Sequence, residues 1–151
     1  MTARLSGDEL VAGAALPERH LGPQTRTDIV RYQGASGDFN PIHHDDEFAR
    51  SAGMSGVFSV GMLQAGYLGT YCAELFGPES VRRLSVRFAG QVWPGDMLVC
   101  RGLVSTLTPT EDGHSADLDL TIWRVGGGVA VSASATLLIR STEADDEMTI
   151  P

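Results

Sequence analysis

The chain has 151 residues, enough for one domain with a real core, and its composition of 42% hydrophobic and 20% charged residues is that of a globular protein. A net charge of −8 argues against nucleic acid as a partner, because phosphate binding needs a basic face. All 11 basic residues are arginine, so chemistry that needs a lysine amine, such as Schiff-base or pyridoxal phosphate attachment, is excluded.

At the N-terminus, "MTARLSGDELVAGAAL" carries Asp8 and Glu9 just ahead of a mild apolar patch. That is a poor secretory signal, and no apolar run reaches the ~18 residues of a membrane span; a cytoplasmic location is the expectation. "TRTDIVRYQGASG", from Thr25 to Gly37, predicts a short helix capped by Thr27 and ended by glycines. "DDEFARSAG" predicts a second, closed by Gly53.

"SVGMLQAGYLGTYCAELFG", Ser59 to Gly77, shows apolar residues on every side and reads as a buried helix. Gly61, Gly66 and Gly69 each weaken a helix interior by about 1 kcal/mol relative to Ala, which makes sense where a backbone or ligand comes close. The period then changes to two. Leu84, Val86 and Phe88 alternate with Ser85 and Arg87; Ala116, Leu118, Leu120 and Ile122 alternate with Asp117, Asp119 and Thr121. Val129, Val131, Ala133 and Ala135 alternate with Ser132, Ser134 and Thr136, and "MLVCRGLVSTL" supplies a further strand. "WPGD", "TEDGH" and "VGGGV" are the turns. The expectation is α+β: an antiparallel meander with one wet face, wrapped around the apolar helix. Cys72 and Cys100 sit in apolar stretches and read as buried thiols. The single domain is expected over 1–140, followed at 141–151 by a solvated acidic tail with Glu143, Asp145, Asp146 and Glu147.

Chemistry concentrates in "SGDFNPIHHDD", Ser36 to Asp46. A metal site is set aside: His43 and His44 are adjacent and point apart, and no third ligand stands at a recognisable spacing. A polar turn explains Asn40 before Pro41, and it makes His44, Asp45, Asp46 and Glu47 the acidic first turn of the next helix, with Asp45 as cap. It explains Asp38 and His43 less well. A carboxylate and an imidazole flanking a rigid turn can work as a base and its partner, although such pairs also occur as structural networks.

The stretch from Tyr32 to Ala49, "YQGASGDFNPIHHDDEFA", resembles the hydratase motif of MaoC-like and R-specific enoyl-CoA hydratases. Ala35 is a mild departure from it. "GMLQAGYLG" and "VRFAGQVWPGD" resemble that family's central helix and a following strand and turn, so the resemblance runs from about Thr25 to Arg140.

It implies a hotdog fold that pairs with a second copy or a homologous subunit. It also implies reversible hydration of trans-2-enoyl thioesters to (3R)-3-hydroxyacyl thioesters, carried on coenzyme A or an acyl carrier protein, with no cofactor. Asp38 is then the general base, His43 shares its water, the Gly61 N–H stabilises the thioester oxygen, and Asn40 orients the turn. Arg82, Arg83 and Arg87 become candidates to meet phosphates, against the plainer reading of an exposed strand face. One departure stands out: the family commonly has His before the Gly-Met of the central helix, where this chain has Val60 after Ser59. That keeps a non-catalytic or partner-dependent subunit in play. A hotdog thioesterase is the other alternative, although the central helix offers only Gln64 and Glu74 for its acid.

Overall fold

The computed structural model describes residues 4–140; the acidic tail at 141–151 lies outside the described residues. The architecture is α+β. Helix α1 spans Arg26–Ser36, α2 Asp46–Ser51 and α3 Gly61–Phe76. Strands β1 (Arg19–Leu21), β2 (Val81–Phe88), β3 (Leu98–Thr110), β4 (Gly113–Arg124) and β5 (Gly128–Arg140) form one antiparallel sheet in the order β1-β3-β4-β5-β2. Only β3 to β5 is a true meander. The chain crosses from β2 at one edge to β3 near the other, so the expected simple meander is corrected.

Residues of α3 and of the sheet form one core. Leu68, Tyr71, Cys72 and Phe76 pack with strand residues such as Leu118 and Leu137, all nearly inaccessible to water. Each fully buried side chain of this kind stabilises the fold by roughly 1.5–3 kcal/mol relative to exposure. Cys72 and Cys100 are free thiols inside this core, and burial pushes both up to about 11.

The predicted alternation holds best in β4, where Ala116, Leu118, Leu120 and Ile122 are all buried. It fails at Val129. A bulge opposite Ile122 and Trp123 makes Ala130 the extra residue, so Ala130 and Val131 turn inward and Val129 turns out. The central helix is also not buried all round, since Met62 is 53% exposed and Gly66, Thr70 and Glu74 face solvent as well. Of its three glycines only Gly61 is crowded. A Cβ there would sit 3.1 Å from the Phe88 ring, whereas at Gly66 it would meet nothing within 4 Å and at Gly69 only ordinary contact with Leu84.

Thr25, not the expected Thr27, caps α1. Its hydroxyl accepts from the Asp28 N–H at 3.0 Å, and Asp28 accepts from the Thr25 N–H at 3.0 Å. This reciprocal cap fixes where α1 begins, and therefore where it delivers the chain eleven residues later.

Candidate active site

Helix α1 stops at Gly37, whose φ of 75° is left-handed and suits glycine. The turn that follows is built from its own side chains. Asp38 Oδ1 accepts from the Asn40 N–H at 3.2 Å, and Asn40 Oδ1 accepts from the Ile42 N–H at 3.1 Å. Pro41 holds Asn40 extended and opens a single 3-10 turn, Pro41–His43. Asn40 therefore shapes the turn, as expected. Asp38 and His43 are both half-buried at its two ends.

The His43 ring is held from across the molecule. Its Nδ1 lies 2.8 Å from the Phe58 carbonyl oxygen. A carbonyl can only accept, so in the neutral ring the proton sits on Nδ1 and the lone pair on Nε2. The Phe58 ring meets the imidazole edge-on at 5.0 Å between centroids, and Trp93 backs Phe58 at 5.7 Å.

The segment carrying Phe58 is fixed on both sides. The Val57 N–H donates to Asp46 Oδ1 at 3.1 Å, and the Ser59 N–H donates to the Val92 carbonyl at 2.7 Å. The other oxygen of Asp46 takes Arg26 at 2.8 Å. The Val57 bond first, and Arg26 second, hold the Asp46 carboxyl below its ordinary range.

Two sequence expectations change here. Asp45 does cap α2, accepting from the N–H groups of Glu47 and Phe48. Asp46, however, is a tie to the α2–α3 connection rather than a merely solvated first-turn acid. His44 precedes the helix altogether, and its Nδ1 donates to Gln33 Oε1 at 3.1 Å.

Gln33 is the residue the sequence reading missed. It lies on α1 and is only 3% exposed. Its Nε2 donates to the carbonyls of Asp38 at 2.8 Å and Asn40 at 3.1 Å. A glutamine one turn before a helix end carries no sequence signal that separates it from a solvated one.

Gly61 begins α3, after Val60, which offers no side-chain oxygen as a cap and is itself buried. The Leu63 N–H turns back to the Val60 carbonyl at 2.9 Å, which leaves the N–H groups of Gly61 and Met62 to face an acceptor, and the helix dipole favours negative charge there. Beside them is a cleft of about 220 Å³, lined by Phe58, Ser59, Gly61, Gln64, Phe88 and Val92 among others. Asp38 and His43 do not themselves line this cleft; His43 adjoins its wall through Phe58, whose carbonyl holds the imidazole ring.

The arginines do not line the cleft. Arg83 and Arg87 alternate with Leu84, which faces α3, and so lie on the opposite face of β2. Arg82 is the extra residue of a bulge and lines a separate cavity with Arg4 and Arg140, near the end of α3. Among the described residues no three His, Cys, Asp or Glu side chains are grouped to hold a metal ion, and no helix is long and apolar enough to cross a membrane.

Known proteins match this chain in sequence and in fold. The family described as "MaoC like domain" matches residues 12–118. The chain is similar to an (R)-specific enoyl-CoA hydratase of Rhodospirillum rubrum, 26% identical over 117 residues that cover 76% of this chain and 79% of that protein. Two further curated relatives are 34% and 32% identical over 86 and 100 residues, but the chain spans only 9% and 14% of their length. Among solved structures, R-hydratase PhaJ1 from Pseudomonas aeruginosa superposes with a TM-score of 0.81 at 21% identity, covering 91% of this chain and 87% of that one. This likeness bears on the fold, which is the hotdog expected. The ChsH1-ChsH2 complex from Mycobacterium tuberculosis gives a TM-score of 0.73 at 26% identity, covering 86% of this chain and 98% of that one.

Proposed function

The chain belongs to the MaoC-like domain family, and from that premise we propose that it adds water reversibly to trans-2-enoyl thioesters, giving (3R)-3-hydroxyacyl thioesters. The observation that carries this reading is the anchoring of His43. Its Nδ1–H is spent on the Phe58 carbonyl, which leaves Nε2 as an acceptor on the same turn as the Asp38 carboxylate.

In the proposed reaction Asp38 takes a proton from water while Nε2 of His43 accepts the other O–H and holds the oxygen in place. The water oxygen bonds to C3 of the enoyl group, and negative charge collects on the thioester oxygen. The Gly61 N–H and the positive end of α3 stabilise that charge. The proton taken from water then returns to C2, so one O–H bond and the π bond between C2 and C3 break while one C–O and one C–H bond form. Dehydration is the same path reversed.

The thioesterase alternative finds no support in α3. Gln64 spends its amide protons on Ser59 at 2.9 Å and Gln24 at 3.3 Å, and Glu74 pairs with Arg19 at 3.1 Å. For the phosphates of the carrier we propose Arg87 ahead of Arg82 and Arg83: it is exposed on the outer face of β2 at the strand's cleft end, where it would meet a phosphate outside the cleft and not within it. The carrier is coenzyme A or the arm of an acyl carrier protein, both of which bear phosphate.

The test is to incubate the chain with a short trans-2-enoyl-CoA and analyse the product by chiral separation. The 3R alcohol is expected, with Arg87→Ala raising KM while kcat holds. A 3S product, or free coenzyme A from hydrolysis, would refute the reading.

A further inference from the structure

We propose that Gln33 is a positioning residue for this site, holding the Asp38–His43 turn in its working shape; the proposal rests on the hydratase reading above. The side chain is buried and its bonds bracket the pair. Both Nε2 protons go to backbone carbonyls of the turn, those of Asp38 and Asn40, at 2.8 and 3.1 Å. Its Oε1 accepts from His44, the residue after His43, at 3.1 Å. One amide thus ties the backbone of the proposed base to the far end of the turn that carries its partner.

The turn has little else to hold it. Asn40, Pro41 and His44 are exposed, and apart from the His43 ring its remaining bonds are short-range: the Asp38 N–H to Ser36 at the end of α1, Asn40 to Asp38, Ile42 and His43 to Asn40, and His44 and Asp45 to Pro41. Those bonds set the local shape of the loop. Only the long 3.3 Å bond to the exposed Ser36 at the very end of α1 ties the loop to the body of the protein, whereas Gln33 is buried inside α1, whose Ile29 is fully buried. His43 is fixed separately, through Phe58, to the α2–α3 connection. The spacing between the Asp38 carboxylate and the imidazole therefore depends on two anchors, Gln33 on one side and Phe58 on the other.

Glutamine suits this work because it both donates twice and accepts. Glutamate would face two carbonyl oxygens with a carboxylate and could keep only the His44 bond. Leucine would keep the bulk and lose all three bonds, leaving the part-buried Asp38 carbonyl without its donor and the Asn40 carbonyl with only the His43 N–H.

The test compares wild type, Gln33→Leu and Gln33→Glu by kcat and KM on a trans-2-enoyl thioester. Circular dichroism reports folding, and ¹⁵N spectra report the histidine rings. Both variants should fold and lose about tenfold to a hundredfold in kcat with KM within about twofold, since ångström-scale misplacement acts on the chemical step. Their His43 ring signals should also move from the wild-type positions. A folded variant with wild-type kcat and unmoved His43 signals would overturn the proposal. So would failure of both variants to fold, which would make Gln33 a residue of the fold alone. If the wild type itself turned over no enoyl thioester, the hydratase reading would fall and the ring spectra would decide the positioning role: displaced His43 signals support it, unmoved ones overturn it.

Discussion

At the scale of single residues, the site is a problem of holding two side chains on one short turn. The sequence makes the turn itself legible. Asp38, Asn40 and Pro41 are residues whose local bonds and restricted angles build such turns, and the structure uses them so. What holds the turn is not legible. Gln33 and the Phe58 carbonyl act from 5 and 15 positions away in the chain, and neither carries a residue-type signal. His44 illustrates the gap, since it reads as a surface residue and is exposed, yet it completes the bonding of a buried amide. His44→Ala should therefore lower stability by about 0.5–1.5 kcal/mol in urea unfolding while turnover stays within about tenfold of wild type. Unchanged stability would show that the bond contributes nothing.

Among the elements, α2 and the connection to α3 matter more than their size suggests, because they present the carbonyl that orients His43. Asp46 holds that connection through the Val57 N–H and is itself held by Arg26. Its carboxyl titrates below the ordinary 3.8 in the folded chain. A depressed folded value contributes stability that is present above the unfolded value and lost as pH falls through the folded one. Asp46→Asn should accordingly lower Tm at neutral pH, and the gap from wild type should begin to narrow as pH falls to about 3.8 and close only below the lower folded value, where both states are protonated. A gap that persists in acid would assign the effect to shape instead of charge.

Helix α3 gives a contrasting case. The glycines at 61, 66 and 69 look alike in sequence, but only Gly61 has a close neighbour. Gly66→Ala should stabilise the fold by about 0.4–1 kcal/mol, the usual gain from replacing an unconstrained helical glycine. Destabilisation would mean that something covers that face. The strands were legible where alternation is strict, as in β4, and misleading at Val129, where a bulge consumes one residue. Strand β1 had no signal at all, because three polar-flanked residues show no period.

Considered whole, the molecule has a sheet with one long unpartnered side. Strand β2 bonds only to β5 among the described residues, and Phe88 at its cleft end is 49% exposed. Met62, at the start of α3, is exposed as well. We propose that a second copy, or a homologous hotdog subunit, pairs along β2 and covers these residues, joining two sheets. Sedimentation of the purified chain should then give about twice its 16.1 kDa mass, or a monomer that doubles on adding the unlike subunit. A species that stays monomeric with every homologous partner would exclude the pairing.

The central claim is that Asp38 and His43 together hydrate an enoyl thioester. Its most direct test is the loss of conjugated-alkene absorbance on a short trans-2-enoyl-CoA with wild type and Asp38→Asn side by side. A carboxamide at 38 keeps the turn's bond to Asn40 but cannot take the water's proton. The account predicts rapid loss with the wild type and at least a hundredfold slower loss with a folded Asp38→Asn, at the lower end of what a general base supplies. Equal rates from the two proteins would contradict it, because the carboxylate would then have no part in the chemistry.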